Sequence, residues 1–169
     1  MRKLIVGALM SLDGVQEAPQ SWALPWFDDD AARRSLERLL AADAMLMGRG
    51  TYEYFAPAWP QATGEYADRV NAIRKYVFSR TLTSADWNNT TIVPDDAVRR
   101  VRELKDEGGG DLVIYGFGRL ARTLLENDLV DVLDLWIHPV ALGDGRSTAL
   151  RLSGTEQRPN GVVSLVYGR

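Results

Sequence analysis

Apolar and polar positions follow two different patterns along this chain. Short, nearly continuous apolar runs bounded by glycine, proline or aspartate predict buried strands. Runs that repeat an apolar residue every three or four positions predict helices with one face in a core. The predicted strands are 3–10, 43–47, 76–78, 90–93 together with Trp87, 111–115 and 131–137. The predicted helices are 28–42, 64–74, 94–107 and 119–126.

Strands and helices therefore alternate, which is typical of an α/β protein. Residues 150–152 and 162–167 predict a closing antiparallel hairpin, with Asn160 and Gly161 in its turn. No internal repeat or low-complexity segment interrupts the sequence. At 169 residues, the chain is long enough to bury a core, and we expect a single domain over residues 1–169.

The stretch 108–127 combines a glycine turn, a strand and a helix. Gly116 and Gly118 connect the strand to the helix. Such a turn can hold a phosphate, because free backbone N–H groups and the helix dipole favour an anion there. The simpler alternative is that these glycines only permit a tight connection. Residues 116–121 also fit the G-x-G-x-x-A fingerprint of Rossmann domains, but the strand 131–137 ends without an acidic residue, so we reject that fold.

The same succession of strand, glycine turn and helix start recurs at Gly48. Arg49 and Thr51 add a positive charge and a hydroxyl group to this turn. Arginine suits phosphate because its planar fork bonds two oxygens at once, although Arg49 could instead pair with a nearby surface acid. Ser79 and Arg80 follow the third predicted strand and likewise provide a hydroxyl group and a positive charge for a phosphate. Two turns of this kind in one small protein favour a dinucleotide, which has several phosphate oxygens to place.

Three further features are candidates for a substrate site. Asp13 and Gly14 follow the first strand, where open α/β sheets place ligands, although an Asp-Gly pair can simply form a turn. Residues 15–27 contain two prolines with Trp22 and Trp26, and could form a wall or lid for a flat ring, a hydrophobic plug or a dimer contact. A lone histidine before a proline at a strand end, His138, is more often structural than catalytic.

Composition excludes several classes of function. The chain has no cysteine and one histidine, which excludes disulfides, zinc–thiolate sites, cysteine nucleophiles and multi-histidine metal sites. The net charge is −3 with acids and bases interspersed, so we expect no nucleic-acid partner. No apolar run approaches the length of a membrane span, and the first residues read as a strand. We therefore expect a cytoplasmic protein whose chemistry comes mostly from a bound cofactor.

Five short motifs carry a resemblance to a known family. In chain order they are 11–14 (SLDG), 47–53 (MGRGTYE), 77–80 (VFSR), 110–112 (GDL) with 115–120 (YGFGRL), and 135–140 (LWIHPV). Their order and spacing resemble the dihydrofolate-reductase-like superfamily over nearly the whole chain. Within it, the chain is similar to the C-terminal reductase domain of the bifunctional riboflavin-biosynthesis deaminase–reductase.

The resemblance implies a three-layer α/β/α fold with a central mixed, mostly parallel sheet and a C-terminal antiparallel hairpin. It also implies NADPH as hydride donor, a small-molecule substrate and a homodimer. Asp13, as a substrate anchor or proton relay, would face the substrate together with Gly14, Trp22 and Trp26. The implied cofactor-binding residues are Gly48, Arg49, Thr51, Ser79, Arg80, Gly116, Phe117, Gly118, Arg119 and Leu120.

The sequence departs from the family pattern at several positions. Gly50 stands where many relatives have a basic residue, which implies a weaker affinity for the 2′-phosphate of NADPH. Phe117 stands where dihydrofolate reductases have a second glycine. Residues 15–27 contain no basic residue for a substrate phosphate, and a zinc deaminase site is impossible without cysteine. The chain therefore need not serve riboflavin synthesis.

Three functions remain open on the sequence. The first is an NADPH-dependent reductase similar to 5-amino-6-(5-phosphoribosylamino)uracil reductase, which would pass a hydride to a small heterocyclic or sugar-imine substrate. The second is a true dihydrofolate reductase, with a carboxylate from 28–30 bonding a pterin. The third is a non-catalytic nucleotide-binding or dimeric protein on the same fold.

Overall fold

A six-stranded sheet with strand order β4-β3-β2-β5-β1-β6 organises the computed structural model, which describes residues 2–143 and 148–168. The pairings of β1 with β5, of β2 with β3 and β5, and of β3 with β4 are parallel. The six strands are β1 (Leu4–Met10), β2 (Ala42–Gly48), β3 (Arg74–Phe78), β4 (Thr90–Val93), β5 (Asp111–Tyr115) and β6 (Val132–Ile137). The central parallel sheet and its neighbours confirm the expected fold class.

Five α-helices connect or follow these strands, and acidic caps fix two of their starts. The side chain of Asp28 accepts a hydrogen bond from the backbone N–H of Ala31, and Asp96 accepts from Val98 and Arg99. The cap at Asp96 explains why the helix that the sequence predicts over 94–107 begins only at Ala97. The helices are α1 (Asp29–Ala41), α2 (Arg49–Phe55), α3 (Glu65–Ala72), α4 (Ala97–Asp106) and α5 (Arg119–Glu126).

Two antiparallel ladders lie outside the central sheet in the described residues. Strands β7 (Val140–Ala141) and β8 (Thr148–Ala149) form one ladder. Strands β9 (Arg151–Gln157) and β10 (Val163–Gly168) form the other, with an irregularity between Val166 and Tyr167. The predicted C-terminal hairpin is therefore present, and its first strand is longer than the sequence indicated.

The chain divides into two compact units, residues 1–8 with 28–134 and residues 9–27 with 135–169. In the first unit, alternate residues of β1, β3 and β5 enter different buried clusters, as the two-residue period of a strand requires. Leu112 and Ile114 belong to one cluster, and Val113 between them belongs to the other. The second unit has a smaller core of Trp22, Ala23 and Val140, with Leu9, Trp26 and Leu142 packed against it.

Lys75 makes the third strand differ from its prediction. Its side chain is fully buried in β3, and its ammonium group donates hydrogen bonds to the backbone oxygens of Asn71 (3.0 Å), Ile73 (2.8 Å) and Asn88 (3.0 Å). The Nζ atom also lies 4.5 Å from the ring centroid of Trp87. The prediction that Trp87 belongs to the fourth strand was wrong, because its indole is buried beside this lysine, ahead of a strand that begins at Thr90.

Candidate functional site

The tips of three neighbouring strands place the predicted phosphate-binding residues along one edge of the sheet in the first unit. Strand β2 lies between β3 and β5, and its pairings with both are parallel. Gly48 at the end of β2 is the register partner of Phe78 at the end of β3. Because parallel strands end on the same side, the residues after β3, β2 and β5 share this edge. These residues are Ser79 and Arg80, then Arg49 to Thr51, then Gly116 to Leu120.

Strands β2 and β5 form a topological switch point. The chain leaves β2 toward β3 on one side, and leaves β5 toward β6 on the other side. Open α/β sheets bind ligands in the crevice outside the carboxyl ends of two such strands. The helices α2 and α5 begin directly after these two strand ends. This is the part of the sheet where we expect an anionic cofactor.

Glycines leave open space at both helix starts. A Cβ atom built on Gly48, Gly50 or Gly118 would meet no atom within 4 Å, and none of the three has a positive φ. Neither packing against the described residues nor backbone conformation therefore requires glycine at these positions. Gly116 differs, because its φ of 93° is one that other residues rarely adopt. Since Gly118 caps α5 without a side-chain hydrogen bond, the first N–H groups of that helix suit a phosphate oxygen.

Arg49 is held by two side chains at this edge. Its Nε donates to Glu53 Oε1 at 2.6 Å, and its Nη1 donates to Thr81 Oγ1 at 2.9 Å. The alternative interpretation of this residue, pairing with a nearby acid, is thus observed in the structure. Both members of the ion pair are about half exposed, so the pair is weak enough for a phosphate to displace it.

The other predicted cofactor residues divide between turn formation, packing and exposure. Ser79 Oγ accepts hydrogen bonds from the backbone N–H groups of Thr81 (3.2 Å) and Leu82 (3.0 Å), so it stabilises the turn after β3. Phe117 and Leu120 pack partly against the core of the first unit. The exposed side chains are those of Arg80 and Arg119, with Thr51 half-buried.

Asp13 joins two loops of the second unit. Its carboxylate accepts hydrogen bonds from Ser11 Oγ (2.7 Å), from the N–H of Leu142 (3.0 Å) and from the N–H of Gly143 (2.7 Å). These bonds, chiefly the one from Ser11, lower the pKa of Asp13 to about 2. A carboxylate with this pKa is ionised at neutral pH and has no proton to donate. Gly14 follows with a φ of 88°, which the turn requires.

A cleft of about 560 Å³ opens beside this loop in the second unit. Both predicted tryptophans contribute to it, but with different exposure. Trp22 is buried, whereas Trp26 is half-buried. Both rings meet His138 edge-on, at centroid distances of 5.4 and 6.3 Å. The lining of the cleft includes Val15, Glu17, Trp22, Pro25, Trp26 and Leu142.

His138 has a structural role in these contacts. Its ring is buried between the two indoles, and its Nδ1 lies 3.0 Å from the backbone oxygen of Trp136. Its backbone N–H donates to the oxygen of Met10 at 2.8 Å. The histidine therefore supports the aromatic wall, in agreement with the reading that a lone histidine here is structural.

Sequence reasoning missed three polar residues at these places. Glu53 and Thr81 engage Arg49, and Glu17 lines the cleft. The i, i+4 spacing of Arg49 and Glu53 on a helix was an available signal. Nothing in the sequence marked Glu17 or Thr81, because both act through contacts that depend on the folded loops.

The sequence profile of the RibD C-terminal domain family matches residues 2–164. The chain belongs to this family. It is 29% identical to the uncharacterized protein YyaP of Bacillus subtilis (strain 168) over 179 residues, covering 98% of this chain and 94% of that protein. The family membership agrees with the resemblance drawn from the five motifs.

Solved structures share the fold of this RibD-type domain. A Shewanella sp. PV-4 protein described in connection with riboflavin biosynthesis superposes with a TM-score of 0.64 at 22% identity, covering 99% of this chain and 98% of that one. The diaminohydroxyphosphoribosylaminopyrimidine deaminase/5-amino-6-(5-phosphoribosylamino)uracil reductase of Thermotoga maritima superposes with a TM-score of 0.55 at 14% identity. That match covers 97% of this chain and 55% of the Thermotoga chain.

Proposed function

We propose that this RibD-type domain is an NADPH-dependent reductase that acts on a small molecule. The observation that carries the proposal is the open space at Gly48, Gly50 and Gly118, beside two helix starts at a switch point of the sheet. Neither packing nor strain explains these glycines, whereas the close approach of a phosphate to the backbone does. The reductase named among the structural neighbours supports the same reaction class.

The residues of the first unit suit the phosphates of a dinucleotide. The turn from Gly116 to Leu120 would bind the pyrophosphate through backbone N–H groups, as glycine turns before helices do. Arg49 and Arg80 would bind the further phosphate that distinguishes NADPH from NADH, with Thr51 and Ser79 as hydroxyl donors. Bound NADPH would supply a hydride to an electrophilic carbon of a small heterocyclic or sugar-imine substrate.

The second unit would hold the substrate in its cleft. Trp22 and Trp26 would provide flat apolar surface, and Asp13 would keep Leu142 and Gly143 in place as part of the wall. Because Asp13 is ionised, its part in the reaction would be positioning and not proton donation. We further propose that the protein acts as a cytoplasmic homodimer. Among the described residues, no helix combines the length and apolar character of a membrane span.

Calorimetric titration with NADPH and NADH tests this function. We expect NADPH to bind more tightly than NADH, and we expect Arg49→Ala and Arg80→Ala each to weaken NADPH binding more than NADH binding. A loss of about tenfold per arginine corresponds to one charged hydrogen-bonded contact. Arg99→Ala is the matched control, because Arg99 is an exposed arginine on α4 that pairs with Asp95 and Glu103.

The outcomes of this titration separate the open functions. Equal losses for the two cofactors would refute the role of the arginines in reading the extra phosphate. Absence of binding by either cofactor would favour the non-catalytic alternative. The dihydrofolate reductase alternative gains no support from Asp28 or Asp30, because Asp28 caps α1 and Asp30 pairs with Arg33 and Arg34. Protection against melting by methotrexate would nevertheless reverse that judgement.

A further inference from the structure

We infer that the cleft of the second unit binds a planar heterocycle bearing N–H donors and no phosphate, and that Glu17 selects it. As an account of the substrate, the inference rests on the proposed reductase function. As an account of a binding site, it stands on the geometry of the second unit alone. It also departs from the phosphoribosyl substrate in the name of the Thermotoga neighbour.

The walls of the cleft suit a flat ring. Val15, Pro25, Trp26 and Leu142 give it apolar and aromatic surfaces. Its volume of about 560 Å³ lies within the usual range for small-molecule sites, roughly 300–1,000 Å³. An aromatic wall favours a planar ligand, because stacked or edge-on rings bury apolar area at little conformational cost. The walls alone therefore select for shape.

Trp22 is fixed before any ligand arrives. Its indole N–H donates to the backbone oxygen of Glu17 at 2.9 Å, and its ring meets His138 edge-on. This hydrogen bond joins the aromatic wall to the loop segment that carries Glu17. A side chain held in this way loses little freedom on binding, so the cleft is preorganised on that side.

Glu17 supplies the polar selection. It is the only charged residue among the described residues that line the cleft, and its side chain is exposed. Its Oε2 accepts one bond, from the N–H of Gln16 at 3.2 Å, and its Oε1 has no partner among the described residues. A carboxylate accepts hydrogen bonds from ring N–H or amino groups and gains further from a positive ring.

The same carboxylate disfavours a phosphorylated ligand. Two negative groups in one cleft repel each other. A sugar phosphate would also gain little from aromatic surfaces. The charge of Glu17 therefore favours binding of an amino-substituted ring and disfavours binding of its phosphoribosyl relative.

Titration of the full chain with 2,4-diaminopyrimidine, unsubstituted pyrimidine and ribose 5-phosphate tests this inference. We expect the diaminopyrimidine to bind more tightly than the other two. Glu17→Gln should weaken its binding about tenfold, the effect of losing one charge-assisted hydrogen bond, and should leave the weak binding of pyrimidine unchanged. Trp26→Ala should weaken the binding of both rings, and Trp26→Phe should retain most of the wild-type affinity.

Two controls keep the result interpretable. Glu156→Gln removes an equivalent exposed acid on β9 of the same unit and should change nothing. The titrations are run without NADPH, so that a failure of cofactor binding leaves the result on the cleft intact. Tighter binding of ribose 5-phosphate than of diaminopyrimidine would overturn the inference, as would unchanged diaminopyrimidine binding in Glu17→Gln or no diaminopyrimidine binding at all.

Discussion

At the level of single residues, two partners compete for Arg49: the carboxylate of Glu53 and the phosphate that we propose it binds. Its guanidinium group donates hydrogen bonds to Glu53 and Thr81. A phosphate bound by Arg49 in the proposed function would replace the first of these partners, and the nearby carboxylate would repel it. We predict that Glu53→Gln strengthens NADPH binding by about two- to fivefold, the size of an exposed ion pair, and leaves NADH binding nearly unchanged.

Calorimetry at low and high salt measures this effect. The gain should shrink at high salt, because exposed charges are screened there. Glu103→Gln, which removes a similar exposed partner of Arg99 on α4, is the matched control and should have no effect. Weaker NADPH binding in Glu53→Gln would show that Glu53 orients Arg49 for the phosphate and does not compete with it.

Asp13 ties the stability of the second unit to pH. The folded state lowers the pKa of this carboxyl from 3.8 to about 2, so its contribution is present above pH 3.8 and is lost as the pH falls through about 2. We predict that Asp13→Asn lowers the melting temperature at neutral pH by a few degrees, roughly the effect of one weakened hydrogen-bond cluster. The difference from the wild type should disappear toward pH 2.

Thermal melts of both proteins over this pH range provide the check. Asp95→Asn removes an exposed carboxylate whose contact with Arg99 is long, at 3.7 Å, and should show almost no difference at any pH. A destabilisation by Asp13→Asn that stayed constant from neutral pH to pH 2 would mean that the ionised form of Asp13 is not what holds Leu142 and Gly143.

At the level of elements, the turn between β5 and α5 allows an effect on stability to be distinguished from an effect on cofactor binding. A methyl group at Gly118 would meet no atom of the described residues within 4 Å beyond its chain neighbours, and the φ of −82° suits any residue. We predict that Gly118→Ala destabilises the fold by at most about 1 kcal/mol, the usual cost of alanine at an N-cap, and weakens NADPH binding at least about tenfold. Melting and calorimetry on the same sample measure the two effects.

Two other glycines give the contrasting behaviour. Gly116→Ala should destabilise the fold by about 1–3 kcal/mol, because its φ of 93° strains any other residue. Gly110→Ala should also destabilise, since the new methyl would lie 2.8 Å from the oxygen of Ala41. If Gly118→Ala bound NADPH as tightly as the wild type, the open space at this turn would have no role in cofactor binding.

Local patterns in the sequence were enough to predict most elements. The apolar runs located the central strands, and the period of Leu120 and Leu124 located α5, because both patterns are set by burial within a single element. The third strand was placed too late, since Lys75 interrupts its apolar run with a charge that only backbone oxygens from elsewhere can satisfy. Trp87 was misplaced for the same reason.

The candidate site was predictable only where it consists of backbone. Glycine turns before helices are visible in a sequence, so the edge formed by Gly48 and Gly118 was expected. Side-chain partners were not, because the contact of Arg49 with Thr81 joins residues 32 positions apart, and that of Asp13 with Gly143 joins residues 130 positions apart. The hydrogen bonds that Asp13 accepts from Leu142 and Gly143 depend on a loop that is distant in the sequence.

At the level of the whole molecule, the C-terminal hairpin leaves apolar side chains in water. Leu152, Val163 and Val166 are each about half exposed on β9 and β10. Exposed apolar surface of this kind commonly marks an interface, and the proposed homodimer would cover it. We predict that the wild type runs as a dimer in light scattering after size-exclusion chromatography, and that the pair Leu152→Lys and Val163→Lys, which lie on one face of the hairpin by its register, shifts it to the monomer.

A charge change elsewhere on the hairpin is the control for this shift. Glu156→Lys adds the same kind of residue to β9 without removing an apolar side chain, and should leave the dimer intact. A monomeric wild type would contradict the homodimer directly. A dimer that survives the double lysine change would place the interface on another surface.

The buried ammonium group of Lys75 also determines how the protein can be handled chemically. The chain has three lysines, and Lys75 and Lys105 are both buried, the second against Asp131. Acylating reagents should therefore attach to the lysines of the folded protein at Lys3, which is exposed, so that a dye or a surface linkage is placed at one known lysine. Acylation of Lys75, read by peptide mass spectrometry, would then report each opening of β3, so the protein carries its own probe of local unfolding.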